Sequence, residues 1–422
     1  MKIVLGCYGS RGDVEPSVAV GRELLFRGHD VTIAVPPDMV AFAESVGLRT
    51  VAYGLDTRSW LGIYRKLWTV LFRSFWKVRD VLALARELRA LSDENLTQMN
   101  ATLTSLADDA DLLLTGLGFE ETVANVAERF DIPLVALHFL PIRSNGQLVP
   151  MMPPPLSRTA RMVYDWVAWR LNKRAEDAQR RELGLPKTTA PPPQRIADRG
   201  SLEIQAYDEV FFDGLADEWV AWKDRRPFVG PLTMELITDA DDEALSWIAA
   251  GTPPICFGFG SLPVASPAAI IEMIAAACGQ LGERALLCAG GSDFTGVPQF
   301  DHIKVVGAVN YAAVFPGCRA VVHHGGAGTT AAGLRAGVPT LILTTDLDQT
   351  LWGSRVKRLK VGTARRFSTT TKQSIVTDLR RILAPDYVAR AREVATRMTK
   401  PAENIVIAAD LVENFAGSGG VR

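Results

Sequence analysis

VVHHGGAGTTAAGLRAGVPTLILTTDLDQ, from Val321 to Gln349, is the stretch whose reading decides the fold. The run from Arg319 to Val322 predicts a strand, and His323-His324-Gly325-Gly326-Ala327-Gly328-Thr329-Thr330 ends it in a glycine-rich turn. Ala331, Ala332, Leu334 and Ala336 then fall at helical spacing as far as Gly337-Val338-Pro339, where turn residues stop the helix. Glycine lets a backbone approach a ligand closely, and Thr329 and Thr330 stand where the helix begins, so unpaired N–H groups and hydroxyls converge on one point. An anion fits there. A second strand, Thr340 to Leu343, carries Asp346, Asp348 and Gln349 to its carboxyl end, the edge at which open α/β sheets take ligands. Phosphate donors at one strand end and sugar-hydroxyl acceptors at the next describe a nucleotide-sugar site. The plainer alternative is tight helix-on-strand packing with both histidines in the core. Neither the Walker spacing nor its lysine is present, which argues against a nucleoside triphosphate held with Mg²⁺.

A chain of 422 residues predicts two domains. A net charge of −1 offers no electrostatic footprint for nucleic acid, and 48% hydrophobic with 22% charged residues is the composition of a globular protein. Cys7, Cys256, Cys278, Cys288 and Cys318 are scattered without a C-x-x-C pair, which points to a reducing cytoplasm and away from a disulfide framework or a zinc site. The apolar start, Met1 to Cys7, is too short for a signal peptide and reads as a first strand. Every stretch of 18 or more residues carries a charge or polar break, so no membrane span is expected.

Lys2 to Cys7 predicts a buried strand, Tyr8 to Asp13 a turn, Pro16 to Arg27 a helix stopped at Gly28, and Asp30 to Val35 a second strand. That βαβ unit makes the sheet parallel. Further strands are expected at Asp111 to Thr115, Leu134 to Phe139 and Leu202 to Tyr207. Gly6, Gly9 and Gly12 miss the dinucleotide fingerprint, but the turn Gly9-Ser10-Arg11-Gly12-Asp13 sets one carboxylate at a strand end beside a helix N-terminus. Asp13 is then either a helix cap or a reactive group. Thr57 to Arg79 holds six cations and no acid, with Trp60, Tyr64, Trp68 and Phe72 four apart. Such a helix lies against a membrane interface, grips a lipid-bearing acceptor, or packs in the domain with its cations snorkelling outward. Proline-rich connectors, Pro150 to Pro155 and Pro186 to Pro193, flank a helix near Arg158 to Leu183.

Phe228-Val229-Gly230-Pro231-Leu232 reads as the crossing into a second α/β alternation: Ile255 to Gly260, a helix from Ala268 to Leu281, Ala285 to Ala289 and Ile303 to Val306, then the opening stretch. Ser261, after Gly258-Phe259-Gly260, caps a helix or touches a diphosphate. Pro385 to Phe415 is helical by period, and the end from Gly417 is expected to fray.

HHGGAGTT…GVP…DQ resembles the donor signature of the GT-B nucleotide-sugar glycosyltransferases, and GSRGDVEP resembles the opening motif of their vancomycin-group and sterol-glucosylating members. Within the family, the tone of the first 38 residues is most similar to glycosyltransferases of mycobacterial glycopeptidolipids and glycopeptide antibiotics. The resemblance implies two Rossmann-like, doubly wound parallel-sheet domains facing across a cleft. Residues 1–227 would bind acceptor and 228–400 the nucleotide sugar, with a helix at 401–416 crossing back onto the first domain.

It implies Asp13 as general base; plant relatives place a histidine near that point, and none stands here. Ser10, Arg11 and Gly12 would line the phosphate turn and cleft. Ser261, Val309, His323, His324, Gly326, Gly328, Thr329, Asp348 and Gln349 would bind the donor, and Trp60, Tyr64, Trp68, His138 and Phe139 the acceptor. Val309 belongs to Gly307-Ala308-Val309-Asn310, which matches the base-holding loop, although relatives often carry tryptophan or glutamate where Ala308 stands.

The implied reaction is inverting transfer, without metal or further cofactor, from a UDP- or dTDP-sugar to a hydroxyl. The sugar would be a hexose or a deoxyhexose such as rhamnose. The acceptor would be a lipid or lipopeptide such as a glycopeptidolipid, reached in the cytoplasm with peripheral contact at the inner membrane face. A small natural product or sterol as acceptor, a nucleotide-sugar epimerase, and an inactive nucleotide-sugar binder are the competing expectations.

Overall fold

A computed structural model describes residues 1–57, 62 and 63, 78–148, 152–258, 266–290, 294, 296–345 and 347–418. The expected acceptor contacts Trp60, Tyr64 and Trp68, and also Ser261 and Asp346, lie outside the described residues. The first sheet contains β1 (Lys2–Gly6), β2 (Asp30–Val35), β3 (Arg49–Ala52), β4 (Leu112–Thr115), β5 (Leu134–His138) and β6 (Leu202–Gln205). The second contains β7 (Ile255–Gly258), β8 (Ala285–Cys288), β9 (Ile303–Val306), β10 (Ala320–His323), β11 (Thr340–Thr344) and β12 (Gly362–Arg366). Their orders, β3-β2-β1-β4-β5-β6 and β12-β11-β10-β7-β8-β9, are the same doubly wound order, all pairs parallel.

The central strands are apolar throughout because both faces are covered. In β1, Ile3 and Leu5 enter one core cluster and Val4 the opposite one, and in β7 Ile255 and Phe257 part company with Cys256 in the same way. Each such fully buried side chain stabilises the fold by about 1.5–3 kcal/mol.

Five helices position the site: α1 (Arg11–Phe26), α2 (Pro154–Glu182), α3 (Ala327–Arg335), α4 (Leu347–Leu359) and α5 (Pro401–Gly417). The first starts five residues before the expected Pro16. Its first turn forms because the Asp13 carboxylate accepts from the Ser10 backbone N–H (2.7 Å) and hydroxyl (2.8 Å), so Asp13 belongs to the helix and not to a preceding turn. The helical tail divides into Lys372–Ile382, Pro385–Ala395 and α5. Ala408, Ala409, Val412 and Phe415 of α5 join the core cluster of the first sheet, and Arg27 and His29 there pair with Asp410 and Glu413.

Candidate active site

Both sheets reverse direction of winding at one place, between β1 and β4 in the first and between β7 and β10 in the second. Ligands of doubly wound sheets bind outside the strand ends at that reversal. Asp13 follows β1, and the double-histidine turn follows β10, whose His323 is in register with Gly258 of β7. Each candidate group thus sits at the reversal of its own sheet.

Gly9 makes room for the carboxylate. With φ at +142°, a Cβ there would lie 2.5 Å from Asp13 Oδ2. Oδ2 takes both Ser10 bonds, and Oδ1 carries no hydrogen bond among the described residues. Burial pushes Asp13 up from 3.8 to about 6, the Ser10 bonds oppose that, and the Asp348 carboxylate on the other sheet's α4 adds to it. Two acids from opposite halves of the chain are therefore within electrostatic reach. Arg11 extends from the same turn, stacked 4.4 Å over Phe42 and bonded to Glu15 (3.2 Å), while Gly12 is exposed.

In the second sheet His323 and His324 separate into two roles. His323 is fully buried, and its Nδ1 accepts from Gly325 N at 3.0 Å. Burial, with His324 beside it, lowers His323 to about 3 and keeps it neutral. It braces the turn from inside. His324 is half-buried, and a Cβ on Gly326 would meet its Nε2 at 2.9 Å, so the imidazole lies over the start of α3.

Among the described residues no side chain caps that helix start. Its first amides, at Ala327, Gly328 and Thr329, therefore keep the donor capacity of an open N-terminus. Thr330 turns inward, its hydroxyl donating to Gly326 O at 2.8 Å, whereas Thr329 stays half-exposed. Gly325, at φ +101°, lets the turn touch α4: a Cβ there would be 3.2 Å from Gln349 Cβ. Gln349 Oε1 accepts from Thr345 N (2.7 Å) and its hydroxyl (3.0 Å), which ties the strand end to the helix, and Asp348 beside it is exposed.

The segment Thr233-Met234 lies between the two helix starts. Met234 N donates to Glu15 Oε1 of α1 at 2.8 Å, and Thr233 Cγ2 is 2.9 Å from where a Gly328 Cβ would stand in α3. Sequence reasoning passed over it because nothing local marks it. Tyr311 was also passed over. Its hydroxyl is 2.9 Å from a Cβ position on Gly258, its ring stacks on Phe315 (4.5 Å), and Arg11 of the first sheet acts on it electrostatically. Its position directly after the half-buried Val309 and Asn310 is the signal that would have found it.

His138, expected on the acceptor side, is fully buried, and its Nε2 bonds Glu120 Oε1 at 3.0 Å; Phe139 beside it is half-buried. Burial alone would push Glu120 up, but Arg143 and His138 outweigh it and hold it at about 2. Glu120, His138 and Glu203 are also the one group among the described residues spaced to hold a metal. Arg143 bonds both carboxylates (2.6 and 2.5 Å) and Arg226 bonds Glu203 (2.5 Å). A metal there would add positive charge to carboxylates already neutralised, so the group reads as a buried ion network.

Residues 3–99 match the glycosyltransferase family 28 N-terminal domain, and residues 285–413 match the erythromycin biosynthesis protein CIII-like C-terminal domain. An uncharacterised glycosyltransferase of Mycobacterium tuberculosis is 57% identical over 418 residues, 99% of either chain. The chain is a glycosyltransferase of the GT-B fold. This glycosyltransferase is also 28% identical to the vancomycin aglycone glucosyltransferase of Amycolatopsis orientalis, over 94% of its own length and 93% of the other's. Its fold is that of the calicheamicin glycosyltransferase CalG4 (TM-score 0.70, 18% identity, 99% and 98% of the two chains covered). It is likewise that of the glycosyltransferase VinC in complex with dTDP (TM-score 0.62, 18% identity, 98% and 100% covered).

Proposed function

We propose that the enzyme transfers a sugar from a UDP- or dTDP-sugar to an acceptor hydroxyl with inversion at the anomeric carbon, and that Asp13 is its general base. The observation that carries this is a carboxylate raised to about 6 at the reversal of one sheet, with Asp348, after β11 and one strand from the reversal of the other, acting on it electrostatically. A base with a pKa near the working pH accepts a proton most effectively. Asp13 takes the hydroxyl proton as that oxygen bonds to the anomeric carbon, and the bond to the nucleoside diphosphate breaks with both electrons leaving on its phosphate.

The open amides of α3, Thr329 and His324 face where that charge develops, so they do electrostatically what a metal would otherwise do. Asp348 and Gln349 are assigned to the sugar hydroxyls, and Val309 with Tyr311 to the base side. Residues 1–227 form the acceptor half and 228–400 the donor half. The neighbour bound to dTDP supports the donor class, and a solved spinosyn rhamnosyltransferase of the same fold makes a deoxyhexose a fitting sugar. The cationic aromatic run Thr57 to Arg79 favours a lipid or lipopeptide acceptor met at the cytoplasmic face of a membrane. No described helix is long and apolar enough to cross one.

The test combines donor binding with turnover. UDP- or dTDP-sugars should raise the melting temperature. Asp13→Asn should keep that shift and lose about a hundred- to ten-thousand-fold in kcat. Unchanged turnover in Asp13→Asn would remove the base from the mechanism.

A further inference from the structure

A second cavity, of about 530 Å³, opens between the halves, away from the strand-end reversals. Gly146 and Gln147 from the loop after β5, and Met152, Pro154 and Arg158 at the start of α2, form one wall. Ser354, Arg355 and Arg358 of α4 form the other, and Glu218 closes the floor. The charge there is unbalanced. Glu218 is committed to Arg158 Nε (2.5 Å) and to Gly146 N (2.8 Å), while Arg355 and Arg358 have no carboxylate partner among the described residues.

Arg355 is 4% exposed, stacked 4.5 Å over Phe212 and bonded through its Nη atoms to Gln147, and among the described residues its Nε has no hydrogen-bond partner. Burial, reinforced by Arg358, lowers it to about 10. A buried cation beside a like charge is costly unless an anion completes it. Guanidinium forks match phosphate and carboxylate oxygens.

We propose that this cavity is an anion subsite that seats a phosphate or similar anionic group of the acceptor. That an anion binds follows from the cavity; that it belongs to the acceptor rests on the sugar-transfer reading. Helix α4 links the two places. Asp348 stands in its first turn and Ser354 six residues on, which at 1.5 Å per residue is about 9 Å along the axis. The loop after β5 lies at the carboxyl edge of the first sheet, the edge from which Asp13 also projects. An acceptor anchored by its anionic group here would extend its hydroxyl toward the strand ends.

Calorimetry on the full chain, without donor sugar, tests this with octyl phosphate, neutral octyl glucoside and inorganic phosphate. Octyl phosphate should bind once per chain, octyl glucoside should not, and inorganic phosphate should compete weakly. Arg358→Ala, at an exposed rim position, should weaken octyl phosphate about ten-fold. Its melting temperature and its affinity for UDP or dTDP should stay unchanged.

Equal binding of the two amphiphiles, or unchanged binding in Arg358→Ala, would overturn the subsite. Displacement of octyl phosphate by UDP or dTDP would assign the cavity to the donor instead. Inorganic phosphate binding as tightly as octyl phosphate would make it a site for free phosphate and refute the acceptor role. Because no step of this assay needs turnover, its outcome is separate from that of the Asp13→Asn experiment.

Discussion

The two oxygens of Asp13 are in different settings. Oδ2 holds the first turn of α1 together through Ser10, so capping does not exclude the proposed proton transfer. The raised pKa carries a stability consequence. The folded chain holds its proton up to about pH 6, whereas the unfolded chain releases it near 3.8, so this group costs nothing below that window and destabilises the fold as pH rises through it. Asp13→Asn should therefore melt higher than wild type at pH 7.5, by about 1–2 kcal/mol after allowance for partial exposure. The difference should vanish as pH falls toward 4. Wild-type kcat/KM should fall as pH drops through about 6, where the base becomes protonated. Melting curves and a pH–rate profile on the two proteins check both; a pH-independent stability gap would mean that the fold does not raise the pKa of Asp13.

At the scale of elements, the turn after β10 shows how closely the proposed donor wall is packed. Gly325→Ala would impose φ +101° on a side chain and set its Cβ 2.7 Å from Ile342 Cγ2. It should cost about 1–3 kcal/mol and abolish measurable nucleoside diphosphate binding, because the shifted turn re-aims the α3 amides. Gly12→Ala is the contrast: a Cβ there meets nothing within 4 Å, so its melting temperature should match wild type within about a degree. Denaturation and calorimetry on both variants read this directly. Most strands were legible as apolar runs and the glycine turns as breaks, but β3 and β12 were not. Arg49–Ala52 and Gly362–Arg366 are edge strands, partly exposed, and their polar residues satisfy neither the buried-strand pattern nor strict alternation. The start of α1 was missed because Pro16 looks like a first-turn residue, while the capping that fixes the true start joins Ser10 to Asp13, six and three positions before it.

Across the whole molecule, the two passages of the chain between the sheets are tied to each other. Asn404 donates to Pro231 O (3.0 Å) and to the Thr399 hydroxyl (2.8 Å), and Thr399 donates to Asp208 from its N–H (2.9 Å) and its hydroxyl (2.6 Å). Gly230, at φ +85°, lets the first passage lie against the second; a Cβ there would overlap Thr399 Oγ1 and approach Asn404 Nδ2 at 2.6 Å. Gly230→Ala should lower stability by about 1–3 kcal/mol and raise KM for donor and acceptor together, since it disturbs how the halves face each other. Steady-state kinetics with both substrates varied would expose a change confined to one of them, which would place Gly230 in a single half.

What the sequence by itself determined were the features written in a few consecutive residues: most of the hydrophobic runs, the glycine turns, and with them two doubly wound sheets. Only the tertiary structure decided that His323 braces its turn while His324 covers the helix start, that His138 is enclosed by Glu120 and the Arg143 network, and that the Asp348 charge acts on Asp13. The reason is the range of the forces. Backbone sterics and side-chain period act between neighbours in the chain, whereas desolvation and charge act between neighbours in space, and those are chosen by the fold.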